Sequence, residues 1–148
     1  MTKFICLFVG CLLASLAHAS LGSNSSVLDK ESQALHATVA PRTEMTSYTM
    51  HEISNPHRTV REYSDHSGVV FAVTWQGRNS PDFKVVFGKY FSEFHATDIQ
   101  TPVNRLNPLR RVTSDHLVVV QGGSMGHVFG RAYIVQMVPA GVTASSLK

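Results

Sequence analysis

Between Ser47 and Gln76 the chain packs three short strand-like runs and two turns into thirty residues. Residues 47–54 alternate and carry Tyr48, Met50 and Ile53; Thr59 to Tyr63 forms a second run. Val69 to Gln76 (VVFAVTWQ) is a third, rich in the β-branched and aromatic side chains that suit a pleated surface. Asn55-Pro56-His57-Arg58 and Asp65-His66-Ser67-Gly68 separate them. Asn and Asp bond their own backbone, while Pro and Gly supply the dihedrals of a reversal. The pattern predicts an antiparallel meander. By period two, Val69, Phe71, Val73 and Trp75 share one face, the expected core. Tight turns would set Ile53 across from Val60 and Val60 across from Val73.

After the third run the period changes. Ser80-Pro81-Asp82 offers a capping side chain, a first-turn proline and a carboxylate at the positive end of a helix dipole. Phe83, Val86, Phe87, Tyr90 and Phe94 follow at helical spacing, predicting one amphipathic helix to about His95. A sheet face and a helix stripe each need cover, and packing them together satisfies both. Residues 97–114 hold Pro102 and Pro108 without apolar period, and predict a long loop. His116 to Gln121 and His127 to Val138 predict a hairpin around Gly122-Gly123-Ser124-Met125-Gly126, with Gly130 at a bulge or kink. Pro139 ends it, leaving a weakly ordered tail. Upstream, residues 20–26 (SLGSNSS) predict a flexible leader, Val27 to Ala37 a short helix capped by Ser26, and residues 38–46 a loop. The expected fold class is α+β: an antiparallel sheet, three-stranded meander plus C-terminal hairpin, packed on one main amphipathic helix.

Residues 1–19 carry a different signal. Lys3, an apolar run from Phe4 to Ala17, and Ala17-His18-Ala19 before Ser20 form the n-region, h-region and small-x-small site of a secretory signal peptide. The run is too short to span a membrane, which takes about 20 residues. Cleavage between Ala19 and Ser20 is expected, giving a single exported domain, 20–148, without a transmembrane segment. Cys11 after Phe8-Val9-Gly10 faintly suggests a lipoprotein box, but the apolar run continues past it. Both cysteines, Cys6 and Cys11, leave with the signal. The mature domain then has no disulfide, thiolate nucleophile or cysteine-held metal, and must be stabilised by burial. Asn24-Ser25-Ser26 matches a glycosylation sequon, relevant only in a eukaryotic host.

Charge narrows the partners. Lys+Arg of 13 against Asp+Glu of 10 gives +3, and loss of Lys3 lowers it to +2. Without clustered basic residues, such a balance gives no reason to expect nucleic-acid binding. The tightest cluster is Arg105, Arg110 and Arg111, a candidate contact for phosphate or anionic lipid, with a solvated loop as the plainer reading.

Histidine is the conspicuous surplus. His51, His57 and His66 fall in or beside the meander, and His116 and His127 flank the hairpin. No HExxH and no helical i, i+4 pair is present, so the spacing supplies no metal cage and no cofactor is expected. His51 would face Glu62 across the hairpin and Glu52 would face Arg61, as cross-strand pairs do. His51 with Glu62 is the candidate pair for acid–base chemistry. Asp65-His66 and Asp115-His116 are sequence neighbours and point to opposite strand faces, unlike a catalytic relay. Ser124 is bracketed by Gly122 and Gly126 in GxSxG spacing, but the strand that follows denies it the elbow geometry. The same loop lacks the Lys-Ser/Thr of a P-loop. Trp75, Tyr90, Phe91 and the phenylalanine stripe could line a pocket between helix and sheet, although aromatics at helical spacing more often make core.

Several strings taken together carry a family resemblance: Tyr48-Thr-Met-His-Glu-Ile53, Val60-Arg-Glu-Tyr63, Gly68-Val-Val-Phe-Ala-Val-Thr-Trp-Gln-Gly77, Pro81-Asp-Phe83, Gly88-Lys-Tyr-Phe91, Gly130-Arg-Ala-Tyr133 and Val138-Pro-Ala-Gly-Val142. The chain resembles a family of small exported proteobacterial proteins catalogued as a domain of unknown function, over nearly all of its length from Ala19. The resemblance implies a bacterial, periplasmic or secreted, single-domain protein, and no activity, substrate or cofactor. The sequence thus leads to a non-enzymatic envelope protein that binds a small ligand or another envelope protein. The alternative is a small histidine-based or metal-assisted hydrolase built on His51 and Glu62.

Overall fold

A computed structural model describes residues 21–24, 38–102 and 109–148. The expected signal peptide with its Ala19–Ser20 cleavage point, both cysteines, the expected helix from Val27 to Ala37, and Arg105 lie outside them.

The molecule is dominated by one antiparallel sheet of eight strands among the described residues. In chain order these are β1 (Thr38–Val39), β2 (Thr43–Glu44), β3 (Thr49–Asn55), β4 (Arg58–Ser64), β5 (Val70–Gly77), β6 (Leu109–Thr113), β7 (Leu117–Ser124) and β8 (His127–Ile134). The order across the sheet is β1-β3-β4-β5-β8-β7-β6, with β2 beside β1 on the outer edge of β3. This corrects the expected three-stranded meander plus hairpin on one helix. The meander and the hairpin join through β5 and β8 into a single sheet, and three strands come from stretches read as loop. β6 escaped notice because an edge strand needs little apolar pattern: only Val112 of its five residues is buried. β1 and β2 are two residues each, below what periodicity can register.

The single expected helix is two. Asp82 caps α1 (Phe83–Phe87) by accepting from the Lys84 amide at 2.8 Å, where Ser80 was the expected cap. Gly88 then takes φ +48°, a region that favours glycine, and breaks the helix. A 3₁₀ turn, Gly88–Tyr90, leads into α2 (Phe91–Gln100), which runs beyond the expected end at His95.

The helices cover one face of the sheet. Phe87 lies between Phe83, stacked at 4.9 Å, and Phe94, edge-on at 4.8 Å; Trp75 meets Phe83 at 5.4 Å. Val70, Val73, Ala132, Val119 and Val112 complete this core from the strands. Ile53 does face Val60, but Val60 faces Trp75 rather than Val73. A two-residue slip preserves the face, so Val73 and Trp75 point inward as expected. Phe71 does not: Tyr63 pairs with Ala72 and Ser64 with Val70, leaving Phe71 as the extra residue of a bulge. It turns to the second face. Gly130 is no bulge. It pairs regularly with Trp75 and Gln121, and a Cβ there would lie 2.3 Å from the Trp75 ring. Trp75 Nε1 is buried and finds no acceptor among the described residues.

Residues 21–24 of the expected leader, and the expected tail, are built in. Leu21 is fully buried, its amide bonded to the Val86 carbonyl, and Gly22 and Ser23 exchange bonds with Val70. At the other end, two 3₁₀ turns, Val135–Met137 and Ala144–Ser146, carry the chain back across the second face. There Leu147, 4% exposed, packs with Tyr63, Phe71 and Ala72.

Candidate functional site

Strand alternation and the antiparallel register place a row of opposite parity behind each core row. Directly behind His51, Glu62, Val73, Ala132, Val119 and Val112 run Glu52, Arg61, Thr74, Arg131, Val120 and Arg111. The next row on this second face is Thr59, Gln76, Phe129, Gly122 and Leu109. The C-terminal segment covers only part of the face, around Tyr63 and Phe71. What remains open is a groove of about 420 Å³, floored by Arg61, Thr74, Gln76, Val120, Phe129 and Arg131 and walled by Leu147 and Lys148. Its lining is mainly apolar, and Leu109 and Phe129 are 45% and 41% exposed in it.

Several of its polar groups are fixed by bonds. Arg61 donates from Nε to Glu52 at 2.6 Å, as the sequence pairing implied. Arg131 donates to the Ser145 carbonyl at 3.1 Å, tying the C-terminal segment to β8. Tyr63 donates to the Lys148 carbonyl at 2.5 Å and lies 3.4 Å from Thr74 Oγ1; burial raises its phenol above the ordinary range. Beyond Gln76 and His127 the groove opens into a second, mostly polar cleft of about 380 Å³ at the β3–β4 turn, lined by His57, Arg58 and Arg78. Arg58 is held there by donating to the Ser80 carbonyl at 2.7 Å. Asn55 fixes the turn by accepting from the amides of His57 and Arg58, both at 2.9 Å.

The residues singled out from sequence are distributed differently. His51 and Glu62 do stand opposite one another, on the helix-covered face, and each is 4% exposed. Arg110 and Arg111 are consecutive on β6 rather than in a loop, so they point to opposite faces. Arg110 turns under α2, with its guanidinium 2.8 Å from Asp98 Oδ1 and 2.7 Å from the Asp98 carbonyl. It neutralises the negative end of that helix and satisfies a terminal carbonyl. Arg111 is exposed, 3.3 Å from Thr113 Oγ1. The Tyr90, Phe91 and phenylalanine set fills the helix-face core instead of lining a pocket. Ser124 ends β7 at the hairpin and is followed by strand. His57 and His127, far apart in sequence, come to one cleft, which only the β5–β8 pairing could reveal. His116 bonds Glu93 at 3.1 Å. Burial pushes the Glu93 carboxyl up, but hydrogen bonds from Ser114 and from the His116 amide and ring outweigh it and hold it below the usual range.

Among the described residues, no three His, Cys, Asp or Glu side chains gather as a metal site, and no helix is long and apolar enough to cross a membrane. No curated protein and no solved structure is detectably similar to the chain. One family model, described as a protein of unknown function (DUF2844), matches residues 17–147, and the chain belongs to that family.

Proposed function

We propose that this protein is exported in a bacterium, to the periplasm or the medium, and binds a small ligand without transforming it, in the groove on the second face of its sheet. The groove itself carries the reading: a concavity within the usual size of ligand sites, mainly apolar, with a few oriented polar groups. The n-region, h-region and Ala17-His18-Ala19 site support export. A hydrolase built on His51 and Glu62 is the second reading. The register that sets them face to face favours it, and their burial favours a core role.

Native mass spectrometry of the protein purified from its host's envelope or medium tests the proposal. The expected result is a chain starting at Ser20 that carries a small-molecule adduct, with the adduct lost in Val120→Trp, which fills the groove. A chain still starting at Met1 overturns export. An adduct retained by Val120→Trp overturns the groove. A bare chain overturns the ligand and leaves an envelope protein as the occupant to seek by crosslinking.

A further inference from the structure

The two clefts of the second face share Gln76 and His127, and their characters are complementary. One end offers Leu109, Val120 and Phe129. The other offers His57, Arg58, Arg78 and His127. Among the described residues, no aspartate or glutamate lines either cleft. The whole chain has a formal charge of only +3, with ten carboxylates available. Glu52 stands on the same face and pairs with Arg61, but Arg58, Arg78 and Arg131 line the clefts with no carboxylate side chain among the lining residues, and such a surplus of positive charge draws anions. Arg58 is already oriented by its bond to the Ser80 carbonyl, and Asn55 pins the turn beside it. A guanidinium held in place loses less freedom when it meets a carboxylate or phosphate, which it can grip with two bonds.

From this we infer that the ligand is an amphipathic anion. Its acidic head lies in the cleft of His57, Arg58, Arg78 and His127. Its apolar body runs past Gln76 along Phe129 and Val120 toward Leu109. The inference rests on the groove reading above and adds the chemical class and the orientation.

The test titrates dodecanoate, dodecanol and dodecyltrimethylammonium, each below its micelle threshold, into the isotopically labelled purified protein, followed by amide shifts. Dodecanoate is expected to move His57, Arg78, His127, Phe129 and Val120 together, and to bind more tightly than the other two. Arg78→Gln, at an exposed position, should weaken dodecanoate roughly tenfold, as expected for one charge-assisted hydrogen bond, and leave dodecanol unchanged; Arg78→Lys should restore most of the affinity. Dodecanol binding as tightly as dodecanoate, or no effect of Arg78→Gln, overturns the anion while the groove stands. Shifts confined to residues away from the second face, or none with any of the three, overturn the groove and the inference with it.

Discussion

The two faces of the sheet use the same strands and the same register, yet they have been put to opposite uses. On the helix side Val73, Ala132, Val119 and Val112 are within 1% of complete burial. One residue along each strand, on the other side, stand Thr74, Arg131, Val120 and Arg111, of which only Thr74 is buried. The helix face is closed by aromatic stacking and gains from every square ångström removed from water. The second face is closed only in part, by a returning segment held through Leu147, Tyr63 and Arg131. Stability is concentrated on one side, and the other is free to carry shape and charge.

Four measurements would break or sharpen that contrast. The largest effect is expected at Phe87, fully buried between two phenylalanines. Phe87→Ala should cost about 3–5 kcal/mol in denaturant unfolding. A loss below about 1 kcal/mol, far under that range, would show that the helix face is not the anchor. Leu147→Ala, in the smaller second cluster, should cost about 2 kcal/mol, near the low end for such truncations. If it matched Phe87→Ala, the two faces would be equal partners.

Gly130→Ala should cost about 1–3 kcal/mol, because its Cβ would meet the Trp75 ring at 2.3 Å and the Val120 carbonyl at 2.9 Å. Trp75→Phe in the same background should return part of the loss, and a double-mutant cycle measures the coupling. Additive costs would mean the indole and Gly130 do not define one another. The smallest effect is expected at Arg61, on the second face. Its pair with Glu52 is partly exposed and worth about 0–1 kcal/mol, so Arg61→Ala should hardly move the unfolding midpoint.

Acid separates the faces in another way. Glu93, in the first turn of α2, and Asp65, in the β4–β5 turn, are both held below their ordinary values of 4.5 and 3.8. For Asp65, burial pushes up, and bonds from the Ser67 hydroxyl and the Val69, Ser67 and Gly68 amides win. Depressed carboxyl groups contribute stability that is present above those ordinary values and is lost as pH falls through the lower, folded ones. Glu93→Gln should flatten that acid limb and leave the plateau at neutral pH shallower. An unchanged limb would remove Glu93 from the account.

How far these features could be read from the sequence follows the same division. The meander, its Ile53–Val60 and His51–Glu62 pairings and the phenylalanine stripe were legible, because turn chemistry and periodicity are local. The size of the sheet was not. β6 is an edge strand with one buried residue, and the β5–β8 pairing that fuses meander and hairpin joins residues 51 to 61 apart, from Gly77–Val128 to Ala72–Tyr133. The bulge at Phe71 defeated strict alternation. The groove was invisible for the same reason: Arg61, Thr74 and Gln76 meet Arg131, Phe129 and Val120 of the hairpin only through that pairing, whereas Arg110 and Arg111, adjacent in sequence, are sent to opposite sides. The Arg105–Arg111 cluster drew attention to proximity along the chain, and the fold acts on proximity across it.

Two long-range contacts, at Leu21 and at Lys148, bear on the order in which the chain assembles. Leu21 must wait for the Val86 carbonyl, about 65 residues later, and Lys148 reaches back 85 residues to Tyr63. Neither contact can form until most of the chain between has been ordered, so the entropy of closing two long loops falls due before their bonds repay it. A nascent chain would hold Leu21 in readiness, with the slot between β5 and α1 still unmade. Refolding on the slow, non-local timescale of antiparallel β-proteins is the result to expect, with the groove completed last, when the final turn settles over the sheet.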